Sequence, residues 1–262
     1  MAVKQPMEDA IIDLHCHILP GIDDGAPDLE ESLAMARQAF DQGVRTITVT
    51  PHFLPHGDAP PPDEVRQACA ALQAALTEHA IELELLPGHE VYLTEEVPRL
   101  WREGKLLPLT GEGNKLLVEL PLNQYASWIS DVLFELQVAG AQVVIAHPER
   151  YRYFRDSLEL LEEWVARGTV LQVNAGSIVG HYGESVFKVV ERLFEQGLVS
   201  LIGSDAHSSR RRTFLFDQAS AQLHRWGIDA GRLYANHRRL LAGEELDRDI
   251  VKALRPWWRL WA

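Results

Sequence analysis

Apolar positions along the chain follow two alternating rhythms. Short, nearly continuous apolar runs occupy residues 11–14, 46–50, 83–86, 115–120, 142–146, 170–174 and 199–202, and they start 27 to 37 residues apart. Runs of this length and composition predict strands buried on both faces. Between most of them lie segments with a 3.6-residue period, at 27–43, 62–80, 125–140, 156–168 and 185–197. In the first of these, Leu33, Ala36, Phe40 and Val44 share one face. Gly43, Gly140, Gly168 and Gly197 each follow such a segment, where a left-handed closing residue is expected. Pro60-Pro61-Pro62 is placed to end a loop and open a helix.

Strand alternating with helix predicts a parallel sheet covered on both faces. The rhythm continues without a break in composition, so 1–262 is read as a single domain and a closed barrel is favoured over two domains. The eight-stranded barrel is the common form. Seven runs predict a distorted, seven-stranded relative, a TIM-like (β/α)7 α/β barrel, with an open doubly wound sheet as the alternative.

Composition narrows the class. The chain has 262 residues, 46% of them hydrophobic and 24% charged, which is ordinary for a globular protein. Asp and Glu number 38 against 25 Lys and Arg, a net charge of −13, which disfavours general nucleic-acid binding. Two cysteines, Cys16 and Cys69, exclude a disulfide framework and point to a reducing compartment. The first residues hold no apolar core of a signal peptide, and no apolar run is long enough to span a membrane. A cytoplasmic protein is expected.

The candidate chemistry lies at the ends of the strand runs. The first ends in Asp13-Leu14-His15-Cys16-His17, the second in Thr50-Pro51-His52, and the third is followed by Gly88-His89-Glu90. The fourth contains Glu119, the fifth ends in His147-Pro148-Glu149-Arg150, and the seventh in Ser204-Asp205-Ala206-His207. Six of seven runs therefore deliver a metal-ligating residue at the carboxyl end, where α/β barrels place their sites. His15 and His17 are two apart on an extended segment and face the same way, as do Asp205 and His207. With Asp24, the candidates are His15, His17, Asp24, His52, Glu90, Glu119, His147, Asp205 and His207. Imidazole and carboxylate without thiolate select Mn, Fe or Zn. Nine donors exceed one coordination sphere and suit two or three ions, with Glu90 as the best bridge.

The remaining histidines are read more plainly. His79, His224 and His237 sit in helical patterns among polar neighbours and are expected in solvent. His89 should point away from Glu90, and His56 and His181 lie in loops near the mouth. Cys16 should face the opposite side from its two histidine neighbours. A cysteine-dependent phosphatase needs Arg six residues after its nucleophile; Ile22 and Ala75 stand there instead.

The segments DLHCHILPGIDDG, TPHF, GHEVYL, LLVELP, AHPERY and GSDAH together resemble the PHP superfamily of metal-dependent phosphoesterases. The GIDDG segment and the helix after it resemble, more closely, the PHP-type tyrosine-protein phosphatases of bacterial capsule and exopolysaccharide loci. The resemblance covers about residues 11 to 243. It implies a distorted seven-stranded barrel holding three divalent ions, Mn or Fe, with Zn allowed. His15, His17, Glu90 and Asp205 would hold the first, and Glu90, Glu119 and His147 the second. His52 and His207 would hold the third, with Asp24 beside it. It also implies that Arg150, and Arg212 within Arg210-Arg211-Arg212, bind the substrate phosphate. The loop after His52, Phe53-Leu54-Pro55-His56, lacks a basic residue at its start.

Clustered divalent ions lower the pKa of bound water and clamp phosphate oxygens, so in-line attack by a metal-bridging hydroxide is expected. Arg150 and Arg212 would stabilise the phosphoryl charge. Asp24 or His52 is the candidate acid for a phenolate leaving group. The expected substrate is a phosphotyrosyl protein, such as the tyrosine-rich tail of a bacterial tyrosine kinase. A small-molecule phosphatase acting on histidinol phosphate is the runner-up. A binuclear amidohydrolase would want a lysine late on the fourth strand, where Glu119 stands and Lys115 lies at the start. A non-catalytic metal-binding module would be expected to lack some of the nine ligands. The tryptophan-rich segment 256–261 is read as packing on the barrel flank, with an interface role as the alternative.

Overall fold

The computed structural model describes residues 10–57 and 59–250, and the tryptophan-rich segment lies outside them. The strands are β1 (Ile11–Cys16), β2 (Val44–Val49), β3 (His52–Phe53), β4 (Glu84–Pro87), β5 (Glu90–Tyr92), β6 (Lys115–Glu119), β7 (Gln142–Ala146), β8 (Val170–Asn174) and β9 (Leu201–Gly203). Every pairing between them is parallel. They form a three-stranded sheet, β1-β2-β4, and a six-stranded sheet, β3-β5-β6-β7-β8-β9. The helices are α1 (Leu29–Asp41), α2 (Pro62–Glu78), α3 (Val97–Arg102), α4 (Trp128–Val138), α5 (Glu159–Ala166), α6 (Ala175–Ile178), α7 (Glu184–Glu195), α8 (Phe216–Arg225) and α9 (Ala230–Ala242).

The described residues form nine strand segments where the apolar pattern predicts seven. Two runs are interrupted, β2 and β3 by Thr50-Pro51 and β4 and β5 by Gly88-His89. Pro51 has no N–H to give a neighbouring strand, and its carbonyl accepts from Glu90 N at 3.1 Å. The first and last strands meet. Cys16 and Ala206 form a bridge, Asp205 N donates to His15 O at 2.8 Å and His17 N to Ala206 O at 2.9 Å. Buried Asp13 fastens this seam, accepting from Ser204 N at 3.0 Å and Ser204 Oγ at 2.5 Å. Pairing of β1 with the segment just after β9 closes the ring and rules out the open doubly wound sheet.

The helices begin and end as the sequence directs. Asp28 caps α1 by accepting from Glu31 N at 2.9 Å, and α1 buries Leu33, Met35, Ala36 and Ala39. Pro62 opens α2. The four glycines expected to close helices adopt φ between +67° and +100°. No described helix is long and apolar enough to cross a membrane.

Strand alternation separates two cores. Leu116, Val118, Val143, Ile145, Leu171, Val173 and Ile202 face the helices. Ile12, Leu14, Leu117, Val144, Val170 and Leu201 face one another in a second cluster that Leu240 of α9 joins. Followed toward the carboxyl end, this inner face changes character. Leu117 is succeeded by Glu119, Val170 by Gln172 and Asn174, and Leu201 by Gly203 and Asp205. The ring is filled with apolar side chains at one end and polar ones at the other.

His237 corrects one expectation. Its neighbours on α9 are polar, yet its ring is fully buried against the seam strands. Nδ1 bonds Ile12 O at 2.5 Å and Nε2 accepts from Ile202 N at 3.1 Å. Burial pushes its pKa down to about 4. Between pH 6.5 and 4 the unfolded chain therefore takes up a proton that the folded chain refuses, so stability falls as pH falls through this window. Urea titrations with chelator present should show this group contributing a loss of about 3 kcal/mol between pH 6.5 and 4. His237→Gln should flatten the slope; an unchanged slope would exclude this origin.

Candidate metal centre

Two of the predicted ligands stand at strained points of the backbone. His147, after β7, has φ +34°, and Asp205, after β9, has φ +51°. Left-handed backbone costs a non-glycine residue about 1–2 kcal/mol. At His147 the turn is fastened by Tyr151, whose hydroxyl donates to Ala146 O at 2.8 Å and accepts from Leu120 N at 2.9 Å. At Asp205 it is fastened by the seam bonds. Both side chains are thereby swung into the polar end of the ring.

All nine predicted residues converge there. His15 Nε2 and His17 Nε2 lie 3.2 Å apart. Glu90 Oε2 is 3.2 Å from each and Asp205 Oδ1 3.6 Å from each. Donors 2.0–2.1 Å from a shared ion lie about 3.3–3.4 Å apart in a tetrahedron and about 2.9–3.0 Å in an octahedron. The observed spacings match one coordination sphere. A further group joins Glu90 with His147, 3.0 Å from Oε1, and Glu119 lies 3.8 Å from His147. On the other side, Asp24 Oδ1 is 3.4 Å from His52 Nε2 and 3.3 Å from His207 Nε2. His52 Nδ1 also reaches Glu90 Oε2 at 3.0 Å, so this ring stands between two groups. The donor atoms fall into four overlapping sets, each within 4.8 Å, and His15, His17, His52 and Glu90 each belong to two.

The chemistry of these atoms fits cations. Glu90 Oε2, His52 Nδ1 and His207 Nε2 are buried without a hydrogen bond, although partners crowd them. Groups that approach to 3.0–3.3 Å without hydrogen-bond alignment point their lone pairs at a common centre. Burial opposes ionisation of Glu90, yet His15, His147 and His17 hold its carboxyl well below the usual range. Asp205 is likewise buried and held low by His15 and Arg212. Glu119 differs: burial, with Glu90 beside it, pushes its carboxyl up to about 7.

The cluster opens into a cleft of about 540 Å³. Ile22, Leu54, Tyr92 and Leu122 give it an apolar rim, and Arg150 and Arg212 reach in from one side. Arg150 Nη1 donates to Asp205 Oδ2 at 2.9 Å and Arg212 Nη2 to Asp205 Oδ1 at 2.6 Å. Arg210 and Arg211 stay in solvent. Glu149, next to Arg150 in the sequence, turns inward and accepts from Asn174 N at 2.9 Å.

A family model for capsular polysaccharide synthesis, CpsB/CapC, matches residues 11–237. The chain belongs to this family. Among CpsB/CapC relatives, the tyrosine-protein phosphatase YwqE of Bacillus subtilis is 37% identical over 209 residues, 80% of this chain and 82% of that protein. The putative tyrosine-protein phosphatase CapC of Staphylococcus aureus is 28% identical over 92% of this chain and 94% of its own. A crystal structure from work on B. subtilis YwqE and Streptococcus pneumoniae CpsB, described as unique metal-dependent tyrosine phosphatases, superposes with a TM-score of 0.85. It is 35% identical and covers 90% of this chain and 96% of that one. An amidohydrolase from Mycoplasma synoviae, 15% identical with a TM-score of 0.57, shares the fold. Lys115 here stays at the opening end of β6, away from the cluster.

In this CpsB/CapC chain, residues that the sequence did not single out hold the cluster in place. Asp23 Oδ2 binds His17 Nδ1 at 2.7 Å and accepts from His52 N at 3.1 Å. The GIDDG loop comes so close because Gly25 lies on the His17 backbone; a Cβ there would sit 2.0 Å from His17 O. Gln172 binds His15 Nδ1 at 2.8 Å. Tyr182 lies under Arg150, its ring centroid 5.3 Å from the guanidinium carbon. Asp23 and Asp24 are adjacent in an irregular loop, so no periodicity tells them apart; Gln172 was legible only as a polar position in an apolar run.

Other expectations fall outside the cluster. His56 is 70% exposed beside Glu96. His181 is exposed and touches Tyr182. His79 and His224 are exposed, as predicted. His89 faces away from the cluster and accepts from Leu107 N at 3.1 Å. Burial pushes the Cys16 thiol well above its ordinary range and the Cys69 thiol up to about 11, so neither is an activated nucleophile.

Proposed function

We propose that this chain is a metal-dependent phosphomonoesterase that hydrolyses phosphotyrosine in proteins. The observation that carries the reading is the meeting of nine N and O donors with two arginines at the base of one cleft. His15, His17, Glu90 and Asp205 would hold one divalent ion, Glu90, Glu119 and His147 a second, and His52, His207 and Asp24 a third. Nitrogen and carboxylate donors favour Mn or Fe and admit Zn. When bound, such ions supply a water of lowered pKa and neutralise phosphoryl charge.

The chain's own residues do the rest. Arg150 and Arg212 exchange part of their contact with Asp205 for the phosphoryl oxygens and hold them through paired N–H donors. Ile22, Leu54, Tyr92 and Leu122 line the cleft with apolar surface that suits an aromatic ring rather than the charged amine of histidinol phosphate. Asp24 is held ionised, chiefly by His207 beside it. His52, its ring between Asp24 and Glu90, is likewise committed as a ligand, so the phenolate, whose conjugate acid has a pKa of about 10, leaves as the anion and takes its proton from water at the open mouth.

The family context of capsule synthesis supports a tyrosine kinase tail as the substrate protein. Two free, buried cysteines agree with work in the cytoplasm. The test compares Mn2+-loaded protein on a phosphotyrosyl peptide and on histidinol phosphate. A kcat/KM at least about tenfold higher on the peptide is expected, since apolar burial of an aromatic ring is worth upwards of 1.4 kcal/mol. Preference for histidinol phosphate would replace this reading with the small-molecule one.

A further inference from the structure

The run 170–174 is the one predicted strand that ends without a candidate ligand. On β8, Gln172 and Asn174 stand two residues apart, face the same side and are fully buried. They join two residues of the first donor group. His15 Nδ1 bonds Gln172 Oε1 at 2.8 Å, Gln172 Nε2 donates to Asn174 Oδ1 at 3.0 Å, and Asn174 Nδ2 donates to Asp205 Oδ2 at 2.6 Å.

Hydrogen-bond polarity runs one way along this chain. Asp205 accepts from two guanidiniums and is therefore ionised, with no donor of its own. Asn174 must turn its amide nitrogen to Asp205, so its oxygen faces Gln172. Gln172 must turn its nitrogen to Asn174, so its oxygen faces His15. His15 must then carry its proton on Nδ1, leaving the Nε2 lone pair aimed at the point shared with His17 and Glu90. The same two amides fix the Asp205 carboxylate on its Oδ2 side, leaving Oδ1 toward the two histidines.

A second observation concerns the neighbouring strand. Gly203 of β9 pairs with Asn174. A Cβ at Gly203 would lie 2.7 Å from Gln172 Nε2 and 2.9 Å from His15 Cβ. The strand gives up a side chain where the amide must pass. Asn174 is also tied down by its own N–H to Glu149.

We infer that Gln172 and Asn174 are positioning residues, a directed amide chain that fixes the tautomer of His15 and the rotamer of Asp205 for the ion these two hold in common. This deepens the metal-hydrolase reading and rests on it. His17 is oriented differently, by the carboxylate of Asp23, so the two histidines of the His-x-His pair are set by an amide and by an acid.

The test is Mn2+ binding to the full-length protein, followed by the EPR signal of free Mn2+. Gln172→Leu and Asn174→Ser should each weaken the tightest site about 10–100-fold, the range for loss of a ligand's hydrogen-bond partner. Because the links act in series, the double variant should cost little more than the worse single one. In Zn2+-loaded wild-type protein, His15 Nδ1–H should give a slowly exchanging imidazole proton resonance, which Gln172→Leu should lose. Asn174→Ser carries the test should Gln172→Leu fail to fold. Folded variants that bind Mn2+ within about twofold of wild type and keep the resonance would overturn the inference while leaving the metal reading intact. A wild-type protein that binds no Mn2+ would overturn both.

Discussion

Glu90→Gln should strip more than one metal ion from each chain and lower kcat/KM on a phosphotyrosyl peptide by about 10³-fold. The reason is the number of partners on one carboxylate. Its Oε2 lies 3.2 Å from His15 and from His17 and 3.0 Å from His52, and its Oε1 lies 3.0 Å from His147. Glutamine keeps the shape but removes the charge that balances four imidazoles, and its amide nitrogen cannot ligate. Glu119 makes the contrast. It contacts the group from one edge, with burial and the Glu90 charge pushing its carboxyl up to about 7. Glu119→Gln should therefore release at most one ion. Metal analysis after gel filtration, alongside peptide hydrolysis, separates the two. Full metal content in Glu90→Gln, with activity within about tenfold of wild type, would remove Glu90 from the centre of the site.

The ligand constellation was legible because strands repeat every two residues. His15 and His17 fall on one face by that period, and the carboxyl ends of the runs are where polar residues replace apolar ones on the inner face. The same period puts Gln172 and Asn174 on that inner face but gives them no chemistry, because an amide declares its partner only when the partner is in place. Asp23 was hidden by its neighbour Asp24, since only the approach permitted by Gly25 decides which carboxylate turns to His17. His237 was misread because its local neighbours are polar while the seam that buries it is formed by residues 35 and 225 positions away in sequence. The interruptions of two strand runs fall at Thr50-Pro51 and at Gly88-His89, which an apolar pattern does not register.

Arg150→Ala and Arg212→Ala should each cut kcat/KM by about 10²-fold, and the double variant by about 10³-fold or more, with metal content held. The two guanidiniums straddle one carboxylate, on opposite oxygens of Asp205, with side chains 23% and 28% exposed at the cleft. Asp205 is fully buried and retains the Asn174 amide and the remaining arginine when one is lost. Its place in the ion's coordination should therefore survive a single substitution. What is lost is the pair of forks facing an incoming phosphoryl group. Lysine at position 150 returns a point charge without the planar fork, so Arg150→Lys should recover only part of the loss. Arg210→Ala and Arg211→Ala, in solvent on the same turn, should stay within about twofold, as surface changes away from a site do. Inorganic phosphate provides an independent reading, since its inhibition constant should rise in step with the loss of kcat/KM in the Arg150 and Arg212 variants. If metal content collapsed together with activity in Arg150→Ala, the guanidinium would be acting on Asp205 rather than on phosphate. The two arginines would then belong to the metal cage, and the phosphoryl oxygens would be held by the ions alone.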